Sequence, residues 1–275
     1  MIAGMEPAAL MQILLVSMGA GVAGGILAGL LGVGGGIVIV PALYIALGST
    51  GMDPALTIKV AVGTSLATII FTALSSARAH QKRGAIDWQI LRYWAPSIMV
   101  GVVLGGFLGG YADGQLMILV FVVTAFLVAL DMILRKGSDA PEPRSFPGYI
   151  WMIMGTIAGA ISAMMGIGGG TVCVPIFNFL GYDIRKAVGT AAAIGFVIAV
   201  PGAIVYAFTG LGVEGRPPFS FGYINLLAAA AIIPLTTIFA PLGAKLAHTI
   251  PRRALRLAFG AFLMLTAIRM VMDLL

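Results

Sequence analysis

Ten apolar runs divide this chain, near residues 10–31, 37–48, 60–77, 90–110, 116–134, 149–165, 171–180, 187–208, 224–246 and 254–272. Several reach the roughly 20 residues a helix needs to cross a hydrocarbon core about 30 Å thick. Only 9% of the residues are charged and 60% are hydrophobic, whereas soluble domains carry about 25% charged residues. Too little polar surface remains to face water, so lipid is the main solvent. The alternating pattern of a membrane β-barrel is absent. The class is therefore an all-α polytopic membrane protein.

The runs repeat. Leu31-Gly32-Val33-Gly34-Gly35-Gly36-Ile37-Val38-Ile39-Val40-Pro41 returns as Met165-Gly166-Ile167-Gly168-Gly169-Gly170-Thr171-Val172-Cys173-Val174-Pro175. Ala61-Val62-Gly63-Thr64-Ser65 returns as Ala187-Val188-Gly189-Thr190-Ala191, with an insertion expected in the 48–58 loop. Ala95-Pro96 answers Ile233-Pro234, and Ala129-Leu130-Asp131-Met132 answers Ala267-Ile268-Arg269-Met270. Two transmembrane repeats of five segments each, 1–134 and 149–275, are thus expected around a cytoplasmic link at 135–148, where Pro141, Pro143 and Pro147 stand among charged residues. Duplicated units joined this way are common in secondary transporters.

Lys and Arg mark the cytoplasmic loops of membrane proteins. The regions 78–92, 135–148, 181–186 and 245–256 hold 13 of the 16 basic residues. Placing all four inside leaves the corner near 49–58 and both termini outside, and the halves become inverted repeats. The second runs, 37–48 and 171–180, make helices only about 18 and 15 Å long, so each half opens with a broken or re-entrant helical hairpin. A single broken span across 10–48 would give a parallel repeat instead. Glu6 and the lack of Lys or Arg in residues 1–10 argue that the first run is retained rather than cleaved. The net charge of +6 is accounted for by these loops, and no nucleic-acid footprint is present. The lone Cys173 makes no internal disulfide, and the sequence sets no oligomeric state.

The glycine clusters carry the functional reading. Glycine runs break helices, and bare backbone is tolerated within a bilayer only inside protein or along a cavity. A helix starting after such a break aims free N–H groups and partial positive charge at an anion. Gly34, Gly35 and Gly36 with Gly168, Gly169 and Gly170 would then form one anion site near midplane, or else serve close packing alone. Gly21, Gly25 and Gly29, like Gly101, Gly105 and Gly109, have the spacing of packing glycines. Thr64, Ser65 and Thr190 offer hydroxyls to the anion or to their own helices. Asn178 orients the substrate or bonds a neighbouring helix. Asp131 with Arg135, and Arg269 with Asp273, have the spacing of local ion pairs. His80 and His248 fall in expected loops, and the interior assembles no nucleophile, base or metal cluster, so no enzyme and no cofactor is implied. No Asp or Glu lies deep in an apolar run, which leaves no carboxylate proton relay. Outward movement of an anion is already driven by about 2.3 kcal/mol per charge per 100 mV of inside-negative potential.

The paired L-G-V-G-G-G-x-V-x-V-P and M-G-I-G-G-G-x-V-x-V-P motifs, each followed by A-V-G-T, resemble the TauE/SafE family of sulfite and organosulfonate exporters over essentially the whole chain. The resemblance implies a multi-pass protein of the bacterial inner membrane exporting a sulfur oxyanion. It assigns Gly34–Gly36 and Gly168–Gly170 to the site with Thr64, Ser65 and Thr190 as hydroxyl partners; Ala191 replaces the second hydroxyl of the later copy. The expected partners are a small anionic substrate and the lipid bilayer. An anion channel and a cation-coupled importer are the competing readings.

Overall fold

A computed structural model describes residues 7–134, 147–246 and 252–272. Ten helices follow the ten runs: α1 Pro7–Leu31, α2 Gly36–Gly48, α3 Pro54–Gln81, α4 Trp88–Tyr111, α5 Gly114–Leu134, α6 Gly148–Met165, α7 Gly170–Phe179, α8 Ile184–Thr209, α9 Leu226–Leu246 and α10 Arg252–Met272. Seven of them, α1, α3, α4, α5, α6, α8 and α9, are long and apolar enough to cross a membrane. The run expected from 224 starts as a short strand instead: β1 Ser220–Phe221 pairs antiparallel with β2 Ile224–Asn225 before α9 begins.

The helix starts are written locally. Asp53, Asp87 and Asp183 each cap a helix, their carboxylates accepting from Leu56 N, from Gln89 and Ile90 N, and from Arg185 and Lys186 N. Pro41 and Pro175 are each the sixth residue of their helix. They lie past the first turn that tolerates proline freely, so each frees a carbonyl one turn back, on Ile37 and Thr171.

Residue contacts fix the helix directions. Gly21, Gly25 and Gly29 of α1 lie against Leu235, Thr236 and Ala240 of α9 in rising order, so α1 and α9 run parallel. Gly101 and Gly105 of α4 meet Thr156 and Ala160 of α6, also in rising order. In contrast, α3 and α8 cross antiparallel, with Gly63 on Tyr206, Leu66 on Gly202 and Ala73 on Gly195. Ser75 Oγ donates to Thr237 O (2.9 Å) and Arg83 Nη1 to Ala244 O (3.0 Å), which sets α9 parallel to α3. Gly106 and Gly110 touch Val205 and Thr209, which sets α4 parallel to α8. So α1, α3 and α9 point one way and α4, α6 and α8 the other. α1 packs on α9 and α6 on α4; α3 packs on α9 and α8 on α4. Each packing pair thus has its counterpart in the other half.

α3 and α8 are the most enclosed spans, while Val100, Leu104, Phe107 and Leu108 on α4 face outward as a lipid-facing stripe. The opening of the first half is a hairpin. Gln12 Nε2 donates to Ser49 Oγ at 3.1 Å, which brings the end of α2 back to the beginning of α1. A single broken span would have placed those residues on opposite sides. The insertion expected in the 48–58 loop is spread more widely. From Pro41 to Gly63 is 22 residues and from Pro175 to Gly189 is 14; the difference lies mostly in extra helix at the end of α2 and the start of α3. His80, expected in a loop, is in the last turn of α3 and buried. Residues 135–146 of the link, His248, Arg135 and Asp273 lie outside the described residues.

Candidate functional site

The two glycine loops meet. A methyl group added at Gly34 would lie 3.2 Å from Gly168 Cα, and one at Gly168 would lie 2.8 Å from the Val33 carbonyl oxygen. Gly36 abuts the Gly166 carbonyl, and Gly170 abuts the Gly32 carbonyl, the same contact in the other copy. Residues 32–36 and 166–170 are all buried. In this conformation the α-carbons of the loops are packed against each other, and that packing by itself demands glycine. No ligand fits between those α-carbons without moving them.

The amides tell a different story. Among the described residues, the N–H groups of Gly34, Gly35 and Gly36 and of Gly168, Gly169 and Gly170 have no hydrogen-bond acceptor. The loop carbonyl of Gly35 does accept, from Val38 and Ile39 N, and that of Gly169 accepts from Cys173 N. Both breaks therefore start the next helix and leave their own donors unpaired. More than nine in ten buried backbone N–H groups in folded proteins are paired; here six unpaired donors lie together at the starts of α2 and α7, where the first turn of a helix leaves its N–H groups free. They lie against the interiors of two long apolar helices: Gly35 O sits beside Gly24 of α1, and Gly166 beside Val62 of α3.

Ser65 joins this centre. Its hydroxyl is fully buried and donates to Gly166 O at 2.7 Å, tying α3 of the first half to the loop of the second. Thr64 and Thr190 are turned elsewhere. Thr64 Oγ1 accepts from Asn225 N at 2.8 Å, and Thr190 Oγ1 accepts from Asp87 N at 2.9 Å, so both anchor the backbone leading into the following helices. The backbone of Asn178 is in α7, while its side chain lies outside the described ones. One polar group escaped the sequence reading. Thr171, the second residue of α7, is 3% exposed and its hydroxyl has no partner among the described residues. The repeat comparison contained the signal, since Thr171 stands where the first copy has Ile37.

Antiparallel counterpart helices, short helices behind paired glycine breaks and buried unpaired amides belong to a multi-pass membrane protein of the transporter class. The comparisons make this specific. The family model described as "Sulfite exporter TauE/SafE" matches residues 17–270, and the chain belongs to that family. It is 35% identical over 250 residues to a "Probable membrane transporter protein" of Haemophilus influenzae, covering 91% of this chain and 95% of the relative. It is 26% identical to "Probable membrane transporter protein YunE" of Bacillus subtilis, over 92% of this chain and 95% of that one. "Probable membrane transporter protein MJ0441" of Methanocaldococcus jannaschii is 27% identical, with 87% and 88% covered. No solved structure matches the chain.

Proposed function

We propose that this protein exports a small sulfur-containing oxyanion, sulfite or an organosulfonate, across the inner membrane. The anion is held by the amides of Gly34–Gly36 and Gly168–Gly170 at the N-termini of α2 and α7, with Ser65 fixing the second loop. The observation that carries this reading is the six buried N–H groups without acceptors. An anion accepting from them recovers the hydrogen bonds that the breaks leave unmade, and two helix N-termini add their partial positive charge. The family's description supports the sulfur chemistry.

The two halves, 1–134 and 149–275, act as inverted repeats. The corner at 49–53 and both termini lie outside, and the connections at 82–87 and 180–183 lie inside with their basic residues. The antiparallel crossing of α3 with its counterpart α8 supports this arrangement. The touching loops favour a carrier over a standing pore, because the path between them is closed in this conformation. Thr64 and Thr190 act on the site through the backbone they anchor.

The test is anion efflux from proteoliposomes loaded with sulfite or a sulfonate. Saturable efflux that exchanges with external anion is expected, with Gly35→Leu and Gly169→Leu inserting normally but transporting nothing. Wild-type flux in both variants removes the glycine loops from the mechanism. Unitary currents would establish a channel, and uptake driven by a sodium or proton gradient an importer.

A further inference from the structure

The connections leading into the counterpart helices α9 and α4 dock in the same way on helices of the opposite half. In the strap from α8 to α9, residues 210–225, a methyl group added at Gly63 of α3 would come within 2.6 Å of the Tyr223 carbonyl. Two residues on, Asn225 N donates to Thr64. In the strap from α3 to α4, residues 82–87, the Ala85 carbonyl lies against Gly189 of α8. Two residues on, Asp87 N donates to Thr190. Each Gly-Thr pair is therefore a cradle: glycine gives room for a carbonyl and threonine accepts the next free N–H. α3 and α8 run antiparallel, so the two cradles face opposite sides of the membrane.

The α8–α9 strap is closed on itself and fixed to the helix it leads into, while Arg83 of the other strap also reaches Ala244 of α9. Arg216 Nε donates to Val213 O at 2.6 Å and Nη1 to Gly222 O at 3.2 Å, closing the α8–α9 strap on itself. Asn225 Oδ1 accepts from Ala228 N at 2.9 Å and Nδ2 donates to Pro218 O at 3.0 Å, so this residue caps α9 while holding the strap. α9 is packed backbone to backbone on α1 through Gly25, Gly29 and Gly243. The other strap ends in Asp87, which caps α4, and α4 is packed just as closely on α6 through Gly101, Gly105 and Gly159.

A cavity of about 510 Å³ opens beside the α8–α9 strap, lined by Asp53, Lys59, Glu214 and Tyr223 among others. Tyr223 is shared: it lines the cavity, while its carbonyl covers Gly63. One residue beyond Thr64, Ser65 already touches the second glycine loop. Through Tyr223 the strap borders the cavity on one side and α3 on the other.

We infer that the two straps are the gates of the path through the glycine loops, each latched by the Gly-Thr pair of the other half. The moving bodies are α9 with α1 and the α8–α9 strap, and α4 with α6 and the α3–α4 strap. Each body mixes the two sequence repeats. This rests on the proposed passage through the loops, and it is tested by access rather than by flux.

The probe is Ser65→Cys in a Cys173→Ala background, labelled with a membrane-impermeant thiol reagent from either face, in cells and in inverted vesicles. Adding Thr64→Val leaves Asn225 N unpaired and is expected to speed labelling about tenfold from the face where the cavity opens, and not from the other. Thr190→Val is expected to do the same from the opposite face only. Thr64→Ser and Thr190→Ser keep the acceptor and label at the parent rate. Equal acceleration from both faces, or none from either variant, overturns the gates. One-sided acceleration together with normal flux in Gly35→Leu and Gly169→Leu would keep the gates and discard the anion site.

Discussion

The two glycine loops carry nearly the same residues and use them differently. In the first, Gly32, Gly34 and Gly35 all have positive φ, at 68°, 70° and 80°. In the second, Gly166 does, while Gly168, Gly169 and Gly170 do not. An added methyl at Gly35 would meet backbone, the Gly24 carbonyl at 2.7 Å; one at Gly169 would meet the Ile194 side chain at 2.7 Å. The first loop is shaped by its own left-handed residues, which only glycine adopts cheaply. The second is held from outside, by the Ser65 hydroxyl on Gly166 O. Ala191, the counterpart of Ser65, cannot return that bond to Gly32 O. A repeated motif therefore does not mean a wholly repeated reason: both loops need glycine for room where they meet, and the first also needs it for the left-handed backbone at Gly34 and Gly35.

That contrast can be broken experimentally. The largest effect is expected where the loops are alike. Gly36→Leu and Gly170→Leu each drive a side chain into the facing loop's carbonyl, and either is expected to cut efflux about a hundredfold. Unequal losses, with one variant near wild type, would mean that the loops do not meet symmetrically. Next comes the difference in backbone. Gly35→Ala should lose about 1–2 kcal/mol more stability than Gly169→Ala, because only the first forces an L residue into a left-handed conformation. Thermal unfolding in detergent reads this directly, and equal shifts would refute the division of roles.

Ser65→Ala is expected to destabilise by about 1 kcal/mol, leaving the buried Gly166 carbonyl without its donor. Thr64→Ser, one residue away but keeping its acceptor, should not. The smallest effect belongs to Thr171→Val. Removing an unpaired buried hydroxyl should leave stability unchanged or raise it by up to about 1 kcal/mol. Sulfite-dependent thermal stabilisation should nevertheless weaken in this variant if the hydroxyl serves the anion. Unaltered stabilisation would confine Thr171 to packing.

The helices were legible because lipid imposes long apolar runs, and each of the ten runs became a helix. The hairpin opening of the first half followed from length, since α2 is too short to cross. What escaped was set by distant partners. Nothing near Thr64 in sequence announces Asn225, 161 residues away, nor does anything near Thr190 announce Asp87, 103 residues away. Their hydroxyls sit beside glycine in both copies, which reads equally well as a ligand contact or a backbone cradle. His80 was misplaced because polar residues at 80–83 look like a loop, whereas the α3 helix continues past its apolar run to Gln81. The strand pair before α9 is only two residues per strand, below what periodicity can register.

The most direct measurement is anomalous diffraction from crystals grown with selenite, which has the shape and charge of sulfite and a selenium signal. One peak within about 3 Å of the amides of Gly34–Gly36 and Gly168–Gly170 is the expected result. A protein that transports selenite yet holds it only in the Lys59 cavity, with those amides still facing no acceptor, would contradict the account.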